Sequence, residues 1–252
     1  AESLMQAGRW DDARERFQQY LERSPGGKYV RQAEFRLGET SYLAGQHQQA
    51  RDDLQRFRQT YPDDELCAYA LPYLGEAALA LEEMAVAQEA FAEALRRYPD
   101  GPLHGECRFG MARVLQSLGD AEGAARFYQF LSEQGTASPL GDDAALQLGT
   151  LRYEQGRFAE STETLHLLIE RFPGSELLPH AHYWLGLSQT ALEDYAAAGA
   201  TLDEALQRYA SHELAPAMTF AAADAYRRAG QPAKAEPLCE RFLQQWPAAE
   251  WA

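Results

Sequence analysis

The chain is poor in the residues that build sheets. Its 252 residues include one isoleucine, Ile169, and three valines, Val30, Val86 and Val114. Ala, Leu, Gln, Glu and Arg take their place, and these lose little side-chain freedom in a helix, whereas strands favour β-branched side chains. The scarcity excludes a sheet-based fold. Only two lysines occur, Lys28 and Lys234, and the formal net charge is −15. Nucleic-acid binding needs clustered cations on one face, so that class is set aside, as is docking on anionic lipid. Three cysteines, Cys67, Cys107 and Cys239, form no C-x-x-C pair, which argues against zinc and redox motifs. No apolar run approaches the length of a membrane span, and no signal peptide is visible.

What the chain does have is a 37-residue period. Starting from Ala13, steps of 37 reach Ala50, Ala87, Ala124, Ser161, Ala198 and Ala235 without a change of register. Five residues before each stand Gly8, Gly45, Glu82, Gly119, Gly156, Glu193 and Gly230. Four after stand Phe17, Leu54, Phe91, Tyr128, Leu165, Leu202 and Cys239; twelve after stand Pro25, Pro62, Pro99, Thr136, Pro173, Ala210 and Pro247. Seven units follow, at about 1–30, 31–67, 68–104, 105–141, 142–178, 179–215 and 216–252, the first incomplete.

Each column has a physical task. Residues at 0, +4 and +7 share one face of a helix. The small residue at 0 lets two helices approach. The glycine supplies a turn that needs a positive φ. The proline ends the helix that precedes it. Upstream of the glycine a second periodic segment carries Leu37-Gly38, Leu74-Gly75, Met111-Ala112, Leu148-Gly149, Leu185-Gly186 and Ala222-Ala223. Each unit therefore reads as helix A, a turn, helix B and a loop. In the second unit these span about Arg31 to Ala44 and His47 to Tyr61. Pro72, Pro179 and Pro216 are all expected in the first turn of a helix A. Cys239, in the column of Phe17, is expected to be buried. One hairpin cannot bury its own apolar face, but stacked neighbours can. The expected fold is all-α: a right-handed superhelical α-solenoid of stacked antiparallel helix pairs, one domain over 1–252, with no sheet.

The columns resemble the tetratricopeptide repeat, W-x2-L-G-x2-Y then A-x3-F then P. The L-G, Gly, A-x3-F and Pro elements stand in most units. The unit is 37 residues instead of 34, and the large aromatics of helix A are displaced, as at Phe35 and Tyr42. Loops such as Y-P-D-D-E and F-P-G-S-E are similar to a variant common in bacterial envelope proteins, including TolA-binding coordinators and outer-membrane-assembly lipoproteins. That resemblance points to the periplasm or envelope over the cytoplasm. The sequence begins inside a helix A and ends just after a helix B, and so reads as a segment of a longer protein.

The resemblance implies a protein or peptide partner held along the helix A side chains. The family's groove positions fall here on Gln32, Phe35, Arg36, Glu39 and Tyr42; Tyr69, Tyr73, Glu76 and Leu79; and Glu106, Phe109, Arg113 and Gln116. Further along they fall on Asp143, Leu146, Gln147, Thr150 and Tyr153; His180, Tyr183, Trp184 and Thr190; and Phe220, Asp224, Arg227 and Arg228. Tyr, Trp and Arg dominate binding hot spots, so the expected contact set is Phe35, Arg36, Tyr42, Tyr69, Tyr73, Phe109, Arg113, Tyr153, Tyr183, Trp184, Phe220 and Arg227. The alternative is packing between neighbouring A helices, strongest for Phe35, Phe109, Tyr183 and Phe220, which share one column. The family's clamp for chaperone carboxylates uses Asn and Lys, and this chain has no Asn and no groove lysine.

No H-E-x-x-H, G-x-S-x-G, Walker-type or G-x-G-x-x-G motif occurs. The expectation is a scaffold that is not an enzyme, with no cofactor and no metal. Two other readings stay open: self-association through ends or convex faces, and the helical arm of a larger enzyme.

Overall fold

The preference for helix formers is realised throughout. The computed structural model describes residues 1–246, and Pro247 of the proline column lies outside them. Helices fall in seven A/B pairs: α1 (Glu2–Gln6) and α2 (Trp10–Arg23), α3 (Val30–Leu43) and α4 (His47–Thr60), α5 (Cys67–Ala80) and α6 (Met84–Arg97), and α7 (His104–Ser117) and α8 (Ala121–Glu133). They continue as α9 (Gly141–Glu154) and α10 (Phe158–Arg171), α11 (Leu178–Ala191) and α12 (Tyr195–Arg208), and α13 (Ala215–Arg228) and α14 (Pro232–Gln245). One 3-10 turn, Gly135–Ala137, stands where Thr136 replaces the loop proline, and no strand occurs among the described residues.

Two compact units divide the chain, Ala1–Phe127 and a second starting at Tyr128, with α8 spanning the boundary. Within the first, α2 to α7 pack consecutively, and α5 also touches α3 and α7. Within the second, α9 to α14 pack consecutively, and α11 also touches α9 and α13. The A helices thus form a row of their own in each unit.

The repeat columns explain this packing. The residues at position 0 are 0 to 6% exposed. Ser161, the exception to alanine, donates its hydroxyl to the Gly149 carbonyl at 2.8 Å and meets the Ser188 hydroxyl at 2.8 Å, so its polar atom is satisfied. Glycine in the L-G pair permits contact between helices A and B: a Cβ on Gly38 would fall 2.5 Å from Leu54, and one on Gly75 2.5 Å from the Phe91 ring. Gly110 of the next unit presses on the same ring from the neighbouring helix α7.

The turn column is equally regular. Gly8, Gly45, Gly119, Gly156 and Gly230 take φ between 68° and 83°, and Glu82 and Glu193 follow them at 60° and 63°. The N–H after each such residue reaches back to close the preceding helix, as from Gln46 to the Ser41 carbonyl at 2.8 Å and from Glu83 to that of Ala78 at 2.9 Å. Helix B stops two residues short of the proline, and the residue between leaves helical geometry, as at Tyr61 with φ −129° and ψ 60°.

Two expectations are corrected. Pro179 and Pro216 occupy first turns, but Pro72 lies in the interior of α5. In the 37-residue frame Pro72 falls in the column of Phe35, four places beyond that of Pro179. It offers no N–H to the Ala68 carbonyl, and its buried ring contributes to packing instead. Cys239 is exposed, unlike every other member of its column. Opposite it, α13 carries Ala223 where most pairs have glycine, and no described helix covers the far side of α14. Cys67 and Cys107 are buried free thiols.

Candidate protein-binding face

The A helices present one set of side chains that helix B does not cover. In the N-terminal unit this face is built around Tyr42 of α3 and Tyr73 of α5, whose ring centroids lie 5.1 Å apart. His47, at the start of α4, supports Tyr42 from behind at 6.3 Å. The same arrangement recurs 111 residues later, three repeats on. Tyr153 of α9 lies 5.2 Å from Trp184 of α11, and Phe158 at the start of α10 supports it at 5.3 Å. All four central rings are half-buried. Each is held by packing and keeps an open edge, which is how a rigid aromatic contact surface is made.

The remaining expected residues divide by burial. Phe35 is 3% exposed and spends its ring on Phe57 and Tyr69, at 5.8 and 6.4 Å, so it belongs to the core. Phe220, from the same column, is 49% exposed, with Phe242 at 5.9 Å on one side. Phe109 is half-buried on α7. Tyr183 is half-buried against the core formed by α12 and α13 and touches Trp184 at 6.0 Å. Tyr69 is 40% exposed and gives the N-terminal face its most open ring.

The three arginines are engaged in ion pairs. Arg36 pairs with Glu39 and, at 3.2 Å, with Glu2. Arg113 donates to Glu76 at 3.0 Å across neighbouring A helices. Arg227 pairs with Asp224 at 2.6 Å and remains largely exposed. Burial raises Glu39 and Glu76 above the ordinary carboxylate range despite their partners. Burial, followed by Glu39 and Tyr42, pushes the Tyr73 hydroxyl up to about 12.

The structure brings Tyr42 and Tyr73 together in one unit and Tyr153, Tyr183 and Trp184 in the other. It also brings in His47 and Phe158, which the residue-type argument passed over. Their signal was present: they occupy one column, immediately after the A–B turn. Among the described residues no group of three or more His, Cys, Asp or Glu is placed to hold a metal ion, and no helix is long and apolar enough to cross a membrane.

Stacked helical hairpins with an aromatic and charged A-helix face in each unit mark a repeat protein of the kind that mediates protein–protein interaction. The family model described as tetratricopeptide repeat matches residues 1–65, 73–139, 109–176 and 146–213, and the chain belongs to that family. Its members are generally non-catalytic scaffolds. Comparison with curated proteins gives no match. Solved structures share the fold. The C-terminal part of a TPR repeat-containing protein from Cytophaga hutchinsonii is 12% identical, with a TM-score of 0.79 over 99% of this chain and 95% of that one. A tetratricopeptide repeat protein from Parabacteroides merdae is 16% identical, with a TM-score of 0.64 over 85% and 79%. PilW, described as a widely conserved type IV pilus biogenesis factor, is 16% identical, with a TM-score of 0.63 over 89% and 97%.

Proposed function

We propose that this chain is a non-catalytic adaptor that binds protein or peptide segments along its A helices, within a bacterial envelope assembly. The observation that carries this reading is the repeated aromatic pair, Tyr42–Tyr73 and Tyr153–Trp184. Rings that serve only the core are covered, as Phe35 and Phe91 are. These four rings retain accessible edges on one face of each unit. Tyr69 and Phe220 add open aromatic surface, which an apolar partner residue would cover. The envelope setting is supported by the Y-P and F-P loops and by the likeness to PilW, a pilus biogenesis factor.

The test is a pull-down of native partners from envelope extract with the wild-type chain and with Tyr73→Ala, Tyr153→Ala and Trp184→Ala combined. Helical circular dichroism is measured on both proteins. The expected result is loss of the captured partners with the helical signal retained. Unchanged capture would contradict the assignment. Light scattering at high protein concentration separates this reading from self-assembly, for which a monomer is the adverse result.

A further inference from the structure

The A-helix face of the N-terminal unit carries more negative than positive charge around its tyrosine pair. Glu39 and Glu76 each hold one arginine, Arg36 and Arg113. Glu2 adds a second carboxylate beside Arg36, and Glu106 adds another within electrostatic reach of Glu76 and Tyr73. Four carboxylates thus share two guanidinium groups. A carboxylate has about four acceptor positions, so one arginine leaves capacity unused. Glu39 is only 8% exposed and sits where charge is poorly solvated, which strengthens its attraction for any cation brought to it. The open ring of Tyr69 and the half-buried ring of Tyr73 supply faces on which a cationic side chain or its stem can rest.

We propose that the A-helix face of the N-terminal unit binds a basic segment of its partner, an extended stretch in which Arg or Lys alternates with apolar residues. The cationic groups meet Glu39, Glu76 and Glu106, and the apolar residues lie on Tyr69 and Tyr73. This rests on the protein-binding reading above and adds the chemistry of the partner. Charge complementarity is the argument, and charge-assisted hydrogen bonds to the carboxylates supply the specificity.

A pH dependence follows. Glu39 faces Arg36 on its own helix, Glu2 from α1 and Tyr73 from α5. Glu76 faces Tyr42 from α3 and both Arg113 and Glu106 from α7. Burial holds Glu39 and Glu76 above the ordinary carboxylate range, so they take up protons before exposed carboxylates do as pH falls. Binding is therefore strongest at neutral pH and weakens in mild acid.

The experiment uses the full chain and three fluorescein-labelled nonapeptides: alternating Arg–Leu, Gln–Leu and Glu–Leu. Binding is followed by fluorescence anisotropy at physiological ionic strength. The Arg–Leu peptide is expected to bind at least about tenfold more tightly than Gln–Leu. Glu39→Gln with Glu76→Gln should erase most of that preference. Glu15→Gln with Glu22→Gln makes the same change of charge at exposed positions of the B helix α2 and should leave it intact. If the double groove variant loses helical signal, Glu106→Gln alone carries the test and should weaken Arg–Leu binding about threefold. Equal binding of Arg–Leu and Gln–Leu would overturn the proposal, as would an equal loss from the α2 charge variant. If Gln–Leu binds equally well and Tyr73→Ala abolishes it, the basic partner is wrong while the protein-binding reading stands. If none of the three peptides binds, the proposal fails, and the envelope pull-down still decides the broader reading separately.

Discussion

Tyr153 and Trp184 stand edge to face with their ring centroids 5.2 Å apart, on A helices of successive repeats. The pair joins α9 to α11 across the part of the A-helix row that helix B leaves open. It therefore has two tasks, packing one repeat on the next and offering a rigid surface. Aromatic pairs contribute about 0.5–1.5 kcal/mol beyond their buried area. A double-mutant cycle with Tyr153→Ala and Trp184→Ala, followed by urea unfolding, should return a coupling energy in that range. A coupling near zero would mean that the rings merely lie near each other.

The two glutamates in the turn column supply a second prediction. Glu82 and Glu193 hold φ of 60° and 63°, where most repeats use glycine. A left-handed conformation costs a non-glycine residue roughly 1–2 kcal/mol. Glu82→Gly and Glu193→Gly should each stabilise the protein by about 1 kcal/mol, and Gly45→Ala should destabilise it by a similar amount. Thermal melts of the three variants check both signs.

Phe91 is pinched between two glycines, Gly75 on α5 and Gly110 on α7. Its ring is fully buried and has no free direction in which to move. Gly75→Ala would gain helix propensity of about 1 kcal/mol, yet overpacking costs about 1–3 kcal/mol. With the ring blocked on its far side, overpacking should win, and chemical denaturation should show a net loss. A gain would show that the two helices can separate cheaply.

His182 gives the C-terminal unit a pH dependence. It is 4% exposed, and among the described residues neither ring nitrogen has a hydrogen-bond partner. It faces His166 from α10, Glu204 and Arg208 from α12, and Tyr209 just after that helix. Burial lowers its pKa below the ordinary value of 6.5. The folded state therefore keeps the ring neutral while the unfolded chain binds a proton, so stability is full above pH 6.5 and is lost as pH falls through the depressed folded value. His182→Leu, copying Leu71 of the same repeat column, should make stability less sensitive to acid between neutral pH and pH 5. An unchanged acid dependence would exclude His182 as its source.

The architecture was legible because five columns repeat in phase, and each column meets one constraint. Small residues mark helix contacts, the turn column marks positive φ, and prolines mark stops. What escaped depends on neighbours. Phe35 and Phe220 share a column, yet one is in the core and the other half open. Phe57 and Tyr69 close over Phe35, while Phe220, with Phe242 at 5.9 Å, stays 49% exposed. Cys239 follows the column rule in sequence and breaks it in space for the same kind of reason. Pro72 was misplaced because its neighbourhood looks like a helix start, although its column number already put it deeper. The Glu76–Arg113 pair lies in a single column and could have been found by spacing. The burial that raises Glu39 and Glu76 depends on the packed helices and has no signature in composition.

The central claim is that partners contact the A-helix face, and site-specific photo-crosslinking tests it most directly. A photoreactive phenylalanine analogue replaces Tyr69 or Phe220 in cells, and in a parallel variant it replaces Glu163, an exposed residue of the B helix α10. The account predicts partner adducts from Tyr69 and Phe220 and none from Glu163. Adducts from Glu163 alone would contradict it.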